Sequence, residues 1–345
     1  MSKPSDLEDA FEQLSIDTQA NKRDSLAFRE GPKRHRALVD KTIKFSCRRD
    51  HILIEIRNQG RSRKVLYAGV DWNSEVVFSN VDSLSKYKPD KKVEISVKRQ
   101  CKLIKSEDYE ILAFNELAVA LKNPKQELEA FIFEYCADYA NMPREIQDVE
   151  SSKSYYEKMG ALLVSLDHKL SARRLKLIVE DPDDVTSILP QLVPDYLQII
   201  TINSEVSSNS WQNHEKIKRI VNLEQWMKAK MLLCTQNIFA FFPMENLMNF
   251  KHLRIKECSV DTEFLLKLRE LFSKSPNLGK CYIESRYKFD AEVLAEHVGE
   301  PAPSTQWSSN VRRYQFPDSE KFLEFQFHGD TISIQRYPKN NTTKI

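Results

Sequence analysis

Leu253-Arg254-Ile255-Lys256-Glu257-Cys258 alternates apolar and charged side chains, and after Asp261 the pattern changes to Phe264, Leu265, Leu268, Leu271 and Phe272 before Cys281-Tyr282-Ile283-Glu284 alternates again. A period of two marks a half-buried strand, and a spacing of three and four marks a helix. Asp261 stands where a helix takes its N-cap. Residues 253–284 therefore read as strand, helix, strand.

The same unit recurs upstream. A helix over 156–166 precedes the strand Arg174-Leu175-Lys176-Leu177-Ile178-Val179, and a short helix with Val185, Ile188, Leu189 and Leu192 precedes Leu197-Gln198-Ile199-Ile200-Thr201. Asn222, with Gln225 three residues on, caps a helix holding Leu223, Trp226 and Ala229 that runs into Met231-Leu232-Leu233-Cys234. Aligning the strands on Leu175, Leu197, Met231, Leu253 and Cys281 gives steps of 22, 34, 22 and 28, close to the repeat lengths of about 20–29 residues found where each unit gives one strand and one helix. The expected fold class is α/β (α+β overall). Its architecture is an irregular, leucine-rich-repeat-like helix–strand solenoid, with a doubly wound parallel sheet as the alternative. Leu323, Phe325 and Phe327, a turn at Gly329-Asp330, and Ile332 and Ile334 close it with a hairpin.

The amino-proximal part reads differently. Ile43, Phe45 and Cys47, then Ile52, Ile54 and Ile56, then Val65 and Tyr67, and later Val93, Ile95 and Val97 alternate as the strands of a small antiparallel β-meander. Turns are expected at Asn58-Gln59-Gly60-Arg61 and Asp71-Trp72-Asn73. Two helices follow. The first carries Tyr109, Leu112, Ala113, Leu117, Ala120 and Leu121, and the second, capped by Asn123, presents Leu128, Phe131, Ile132, Tyr135 and Tyr139. Four segments result: a leader at 1–40, the meander at 41–105, a helical connector at 106–150 and the helix–strand region at 151–345.

Composition narrows the function. The 345 residues are 41% hydrophobic and 30% charged with a net charge of +2, a globular balance. Seven glycines, none at the spacing of a phosphate-cradling loop, leave nothing to build a Walker or Rossmann site. Cys47, Cys101, Cys136, Cys234, Cys258 and Cys281 are scattered singly, so neither a zinc site nor a redox dithiol is spelled out, and they fit a reducing compartment. No HExxH, nucleophile elbow or paired histidines appear, and neither an enzymatic function nor a cofactor is expected. The start lacks an apolar secretory core and no stretch reaches the roughly 20 residues of a membrane span, so a cytoplasmic or nuclear protein is expected. Residues 1–105 carry 23 Lys and Arg against 15 Asp and Glu. Nucleic-acid binding through this basic first third is a further alternative, but no aromatic residues interleave the charges, which argues against nucleic acid as the partner. Glu180, Asp181, Asp183 and Asp184 read as a helix start favoured by the N-terminal dipole rather than a cation site.

Several stretches resemble one family. Asn222-Leu223-Glu224-Gln225-Trp226-Met227-Lys228-Ala229-Lys230, Phe242-Pro243-Met244-Glu245-Asn246-Leu247 and Phe250-Lys251-His252-Leu253-Arg254-Ile255 are similar to the FTH domain of the large nematode F-box protein family. Ile104-Lys105-Ser106-Glu107-Asp108-Tyr109-Glu110 and Leu121-Lys122-Asn123-Pro124-Lys125 resemble the middle of the same proteins, and the likeness runs roughly from residue 26 to the end. Ser25-Leu26-Ala27-Phe28-Arg29 and Arg36-Ala37-Leu38-Val39-Asp40 resemble the second half of an F-box, whereas residues 5–16 lack the Leu-Pro opening and Gly31-Pro32 replaces an apolar helical pair. The resemblance implies a substrate-recognition subunit of an SCF-type ubiquitin ligase, or an F-box-deficient module acting without the ligase. Leu26, Phe28, Leu38 and Val39 would touch a Skp-type adaptor. A protein client would meet strand side chains turned from the core, namely Lys176, Gln198, Ile200, Arg254, Lys256, Tyr282 and Glu284, with Trp211 and Trp307 as loop anchors.

Overall fold

The computed structural model describes residues 41–47, 51–58, 61–68, 101–105, 108–135, 149–204, 209–302, 310–317 and 319–338. All belong to one of the chain's two units, Val39–Val70 with Cys101–Ile345; the other, Met1–Leu38 with Asp71–Gln100, lies outside the described residues. So do the expected adaptor contacts Leu26, Phe28, Leu38 and Val39, the strand at Val93 to Val97, the turn at 71–73 and Trp307.

β1 (Lys41–Cys47) pairs antiparallel with β2 (His51–Asn58), and β2 antiparallel with β3 (Arg61–Ala68). β4 (Cys101–Lys105) lies parallel to β3. Helix α1 (Tyr109–Leu121) follows and buries Ala113, Leu117 and Leu121, one residue per turn.

The next element corrects the sequence reading. Residues expected to form a second helix are the strand β5 (Glu127–Tyr135), parallel to β1. Leu128, Phe131, Ile132 and Tyr135 do fall at helical spacing. A strand buried on both faces, however, reads as a nearly continuous apolar run that periodicity alone cannot separate from a helix. Phe131-Ile132-Phe133 is aromatic and β-branched, which suits a pleated surface. Asn123, expected as a helix cap, instead accepts from the Lys125 N–H at 3.0 Å in the turn before the strand.

From there helices and strands alternate: α2 (Val149–Ser165), β6 (Ser171–Ile178), α3 (Pro182–Ile188), β7 (Ile199–Asn203), α4 (His214–Val221), α5 (Glu224–Lys228), β8 (Met231–Thr235), α6 (Gln236–Phe239), β9 (His252–Cys258), α7 (Thr262–Lys274) and β10 (Lys280–Ser285). β5 to β10 lie side by side in chain order, every pair parallel. After α8 (Ala291–Val298) come β11 (Glu300–Pro301), β12 (Val311–Gln315), β13 (Lys321–His328) and β14 (Thr331–Pro338). β14 docks antiparallel on β10, and β13, β12 and β11 extend the sheet beyond it. One 14-stranded sheet results, in the order β11-β12-β13-β14-β10-β9-β8-β7-β6-β5-β1-β2-β3-β4. The β13–β14 turn places Gly329 at φ 59°, a region glycine enters without steric cost.

Two transverse rows of side chains fill the core. Ile43, Phe131, Leu175, Ile200, Leu232, Leu253, Cys281, Ile334 and Phe325 are successive partners across the sheet, and so are Phe45, Phe133, Leu177, Ile202, Cys234, Ile255, Ile283, Ile332 and Phe327. All are buried. All eight described helices feed the same cluster, from Leu117 of α1 through Met159, Ile188, Ile220, Trp226, Ile238 and Leu268 to Leu294 of α8. The helices therefore cover one face of the sheet. This register also corrects the expected alignment: β7 and β8 join the row of Leu175 through Ile200 and Leu232, not Leu197 and Met231, so the steps are 25, 32, 21 and 28.

Local signals set several boundaries. Asp181 caps α3, its side chain accepting from the Asp183 N–H at 2.8 Å while Asp184 accepts from the Asp181 and Glu180 N–H groups at 3.1 and 3.2 Å. This is the acidic helix start expected from the sequence, with Pro182 in the first turn. Asp261 caps α7 by accepting from the Phe264 N–H at 2.7 Å. Asn222, by contrast, closes α4 instead of opening α5, and the Gln225 amide donates to the carbonyls of Pro190 and Leu192 at 3.1 and 2.8 Å. A capping-box spacing also arises by chance, and here the tertiary partners took the side chain.

Candidate functional site

Because strand side chains alternate, the positions between the two core rows point to the other face, where no described helix packs. Its central row is Lys44, Ile132, Lys176, Thr201, Leu233, Arg254, Tyr282, Ser333 and Gln326, on β1, β5, β6, β7, β8, β9, β10, β14 and β13. Parallel to it lie Ser46, Glu134, Ile178 and Asn203 toward one end, with Thr235 paired to Lys256 and Glu284 paired to Thr331. Small or aliphatic residues of β7 and β8 thus separate cations of β6 from cations of β9.

The charges are arranged as shared pairs. Glu134 is buried and takes Lys44 Nζ at 2.7 Å and Lys176 Nζ at 2.8 Å. Burial pushes its carboxyl up, but the two ammonium groups outweigh this and hold it below the usual carboxylate range. Glu284 faces Arg254 at 3.4 Å and Lys256 at 3.9 Å. The Arg254 guanidinium also lies 5.0 Å from the centre of the Tyr282 ring. Burial, with Arg254 beside it, lowers the pKa of Lys256. Neighbouring Glu129 serves Arg173 at 3.5 Å and Arg174 at 2.9 Å, and burial still raises its pKa. The Thr201 hydroxyl, on a side chain that is only 4% exposed, has no hydrogen-bond partner.

A β-bulge shapes the end of β9. Ile283 pairs with Ile255 while Ser285 pairs with Cys258, so β9 fits one extra residue. Glu257 takes that position at φ 55° and turns to solvent, which returns Cys258 to the helix-covered core.

Lys176, Arg254, Lys256, Tyr282 and Glu284 therefore stand together on the uncovered face. Ile200 does not: it is buried in the core row, and the outward residues of its strand are Ile199, Thr201 and Asn203. Gln198 precedes β7 and is half-buried beside Leu197, itself a core residue. A one-residue error in phase exchanges every side chain between faces, and the mostly apolar run Ile199-Ile200-Thr201-Ile202 gives no alternation to fix the phase. Trp211 is a core residue, not an anchor for a partner: it is buried, packs edge-on against Phe242 with centroids 6.1 Å apart, and donates its Nε1–H to the Glu180 carbonyl at 3.2 Å. The indole found both its apolar and its polar partner inside the fold. Glu134 and Ile132 were missed because β5 was read as a helix; the aromatic and β-branched run around them was the available signal.

No group of three or more His, Cys, Asp or Glu among the described residues could hold a metal ion. No described helix is long and apolar enough to cross a membrane. Residues 153–297 match the FTH domain family, a span from within α2 to within α8 that includes β6 to β10. No curated protein and no solved structure matches the chain.

Proposed function

We propose, taking the FTH match over residues 153–297 as premise, that this chain is a non-enzymatic recognition module that holds a protein client on the helix-free face of its sheet. The observation that carries the reading is the coincidence of the two: the matched span supplies Lys176, Arg254, Lys256, Tyr282 and Glu284, all on that face. A stack of parallel strands with every described helix on one side acts as a scaffold in the manner of solenoid repeats, whose strand faces form extended binding surfaces. The client is delivered to an SCF-type ubiquitin ligase in the cytoplasm or nucleus, with the segment holding Leu26, Phe28, Leu38 and Val39 attaching the chain to a Skp-type adaptor.

Copurification of the full chain with a Skp-type adaptor tests the ligase part, with Phe28→Ala and Leu38→Ala as variants expected to lose the adaptor. A wild-type chain that brings down no adaptor refutes ligase membership and leaves an interaction module acting alone. Nucleic acid is a poorer fit. Arg63 is already paired with Glu116 at 2.7 Å and Lys64 lies 3.9 Å from Glu55. On the described sheet face the aromatic ring of Tyr282 lies against the guanidinium of Arg254.

A further inference from the structure

The reading above leaves open what kind of client segment fits the face, and the arrangement of charge narrows it. Lys44, Lys176, Arg254 and Lys256 share two carboxylates, Glu134 and Glu284, so the formal charge of this cluster is +2. A carboxylate that serves two cations satisfies neither fully, since each ammonium has three donors to place. The ammonium groups are reachable: the side chains of Lys44, Lys176 and Lys256 are 29%, 21% and 26% accessible, whereas Glu134 beneath them is 6%. On the β1–β6 side the negative charge is therefore the deeper layer and the positive charge the outer one, whereas on the β9–β10 side Glu284, at 25%, is level with Lys256 and more accessible than Arg254 at 10%. Exposed Glu257 sits at the bulge, one residue beyond Lys256 and at the margin of the cluster.

Between the cations of β6 and those of β9 lie Thr201, Leu233, Asn203 and Thr235, side chains too short to bridge the gap, which form a low floor between the accessible ammonium groups, Thr201, Leu233 and Thr235 being only 4–5% exposed. We infer that the strip over β7 and β8 docks an acidic peptide segment of a partner protein, its carboxylates reaching Lys44 and Lys176 on one side and Lys256 on the other. A peptide suits the strip better than a nucleic acid because stacking platforms are wanting there and Glu134 and Glu284 interrupt the positive charge, which would repel a continuous phosphate backbone. This inference rests on the proposed docking face and adds the chemistry of its occupant.

Fluorescence anisotropy with the full chain tests it, using labelled twelve-residue peptides of alternating Glu and Leu, Lys and Leu, or Ser and Leu, and a single-stranded oligouridine of similar length. The Glu–Leu peptide is expected to bind at least tenfold tighter than the other three probes and to weaken as salt rises. Lys176→Glu with Lys256→Glu is expected to lower its affinity at least tenfold. Lys267→Glu with Lys274→Glu, on the helix-covered side, should leave it unchanged. If the double reversal unfolds the chain, Lys176→Gln with Lys256→Gln replaces it, with a loss of about threefold or more expected. Absence of Glu–Leu binding, affinity unaffected by the face variants, or tighter binding of oligouridine overturns the inference. Equal binding of the Ser–Leu peptide that the face variants abolish also overturns it, while leaving protein docking on this face intact.

Discussion

Ile255→Ala should destabilise the chain severely while its neighbour Lys256→Ala should not. Ile255 is wholly buried in the row between Cys234 and Ile283. The substitution deletes three carbons, about 2.4 kcal/mol at ~0.8 kcal/mol per buried methylene. A cavity flanked by β-strands on both sides collapses poorly, which brings the expected loss to about 3–4 kcal/mol. Lys256 keeps a quarter of its side chain accessible and sits 3.9 Å from Glu284, so its removal should stay within about 0.5 kcal/mol. Arg254 differs from an ordinary surface residue. It loses both the Glu284 contact and the stack on Tyr282, and Arg254→Ala should cost about 1–2 kcal/mol. Urea unfolding followed by tryptophan fluorescence reads these differences. With a slope of about 2 kcal/mol/M, Ile255→Ala should lower the midpoint by roughly 1.5–2 M and Lys256→Ala by less than about 0.3 M. Equal shifts for residues 255 and 256 would refute the assignment of one covered and one uncovered face.

Other expectations follow from single observations. Glu257 occupies the left-handed region at the β9 bulge, so Glu257→Gly should raise the urea midpoint by the equivalent of about 1 kcal/mol and Glu257→Val should lower it; the reverse order would show that the bulge is not strained. Burial raises the Asp184 pKa from 3.8 to about 7, against the two N–H groups it accepts from and with Asp181 and Glu180 adding to the rise. The folded chain then binds this proton more tightly than the unfolded one. Its contribution is full below about pH 4 and is lost as pH rises to about 7. Asp184→Asn, which keeps the group neutral, should therefore gain stability relative to wild type between pH 4 and 7, and a gap independent of pH would contradict this. Arg336 of β14 donates to the carbonyls of Phe272, Ser275 and Pro276 at the end of α7, the last two at 2.7 and 3.0 Å. Arg336→Ala should cost about 2 kcal/mol by thermal unfolding, and Arg336→Lys should recover only part of it because an ammonium lacks the planar fork.

The strands with strict alternation were legible one by one. Leu253-Arg254-Ile255-Lys256 and Cys281-Tyr282-Ile283-Glu284 announce which side chains turn each way, and the structure places Arg254, Lys256, Tyr282 and Glu284 together on the uncovered face. Caps were legible where the side chain had only local N–H groups to choose from, as at Asp181 and Asp261. They misled at Asn123 and Asn222, where the same residue types served a turn and a helix end. β5 and β7 were harder, because strands inside a wide parallel sheet are apolar on both faces and carry no period.

Alternating hydrophobicity along the chain was enough to determine that the carboxy-proximal part is built of strand and helix units and to name the core residues of β6, β9 and β10. It could not determine the neighbour of each strand. The parallel pairing of β5 with both β1 and β6, the return of β14 to β10, and the meeting of Lys44 and Lys176 on Glu134 join residues far apart in sequence. Those contacts are set by which buried faces fit together in three dimensions, and a local pattern of side chains holds no record of a partner 42 to 90 residues away.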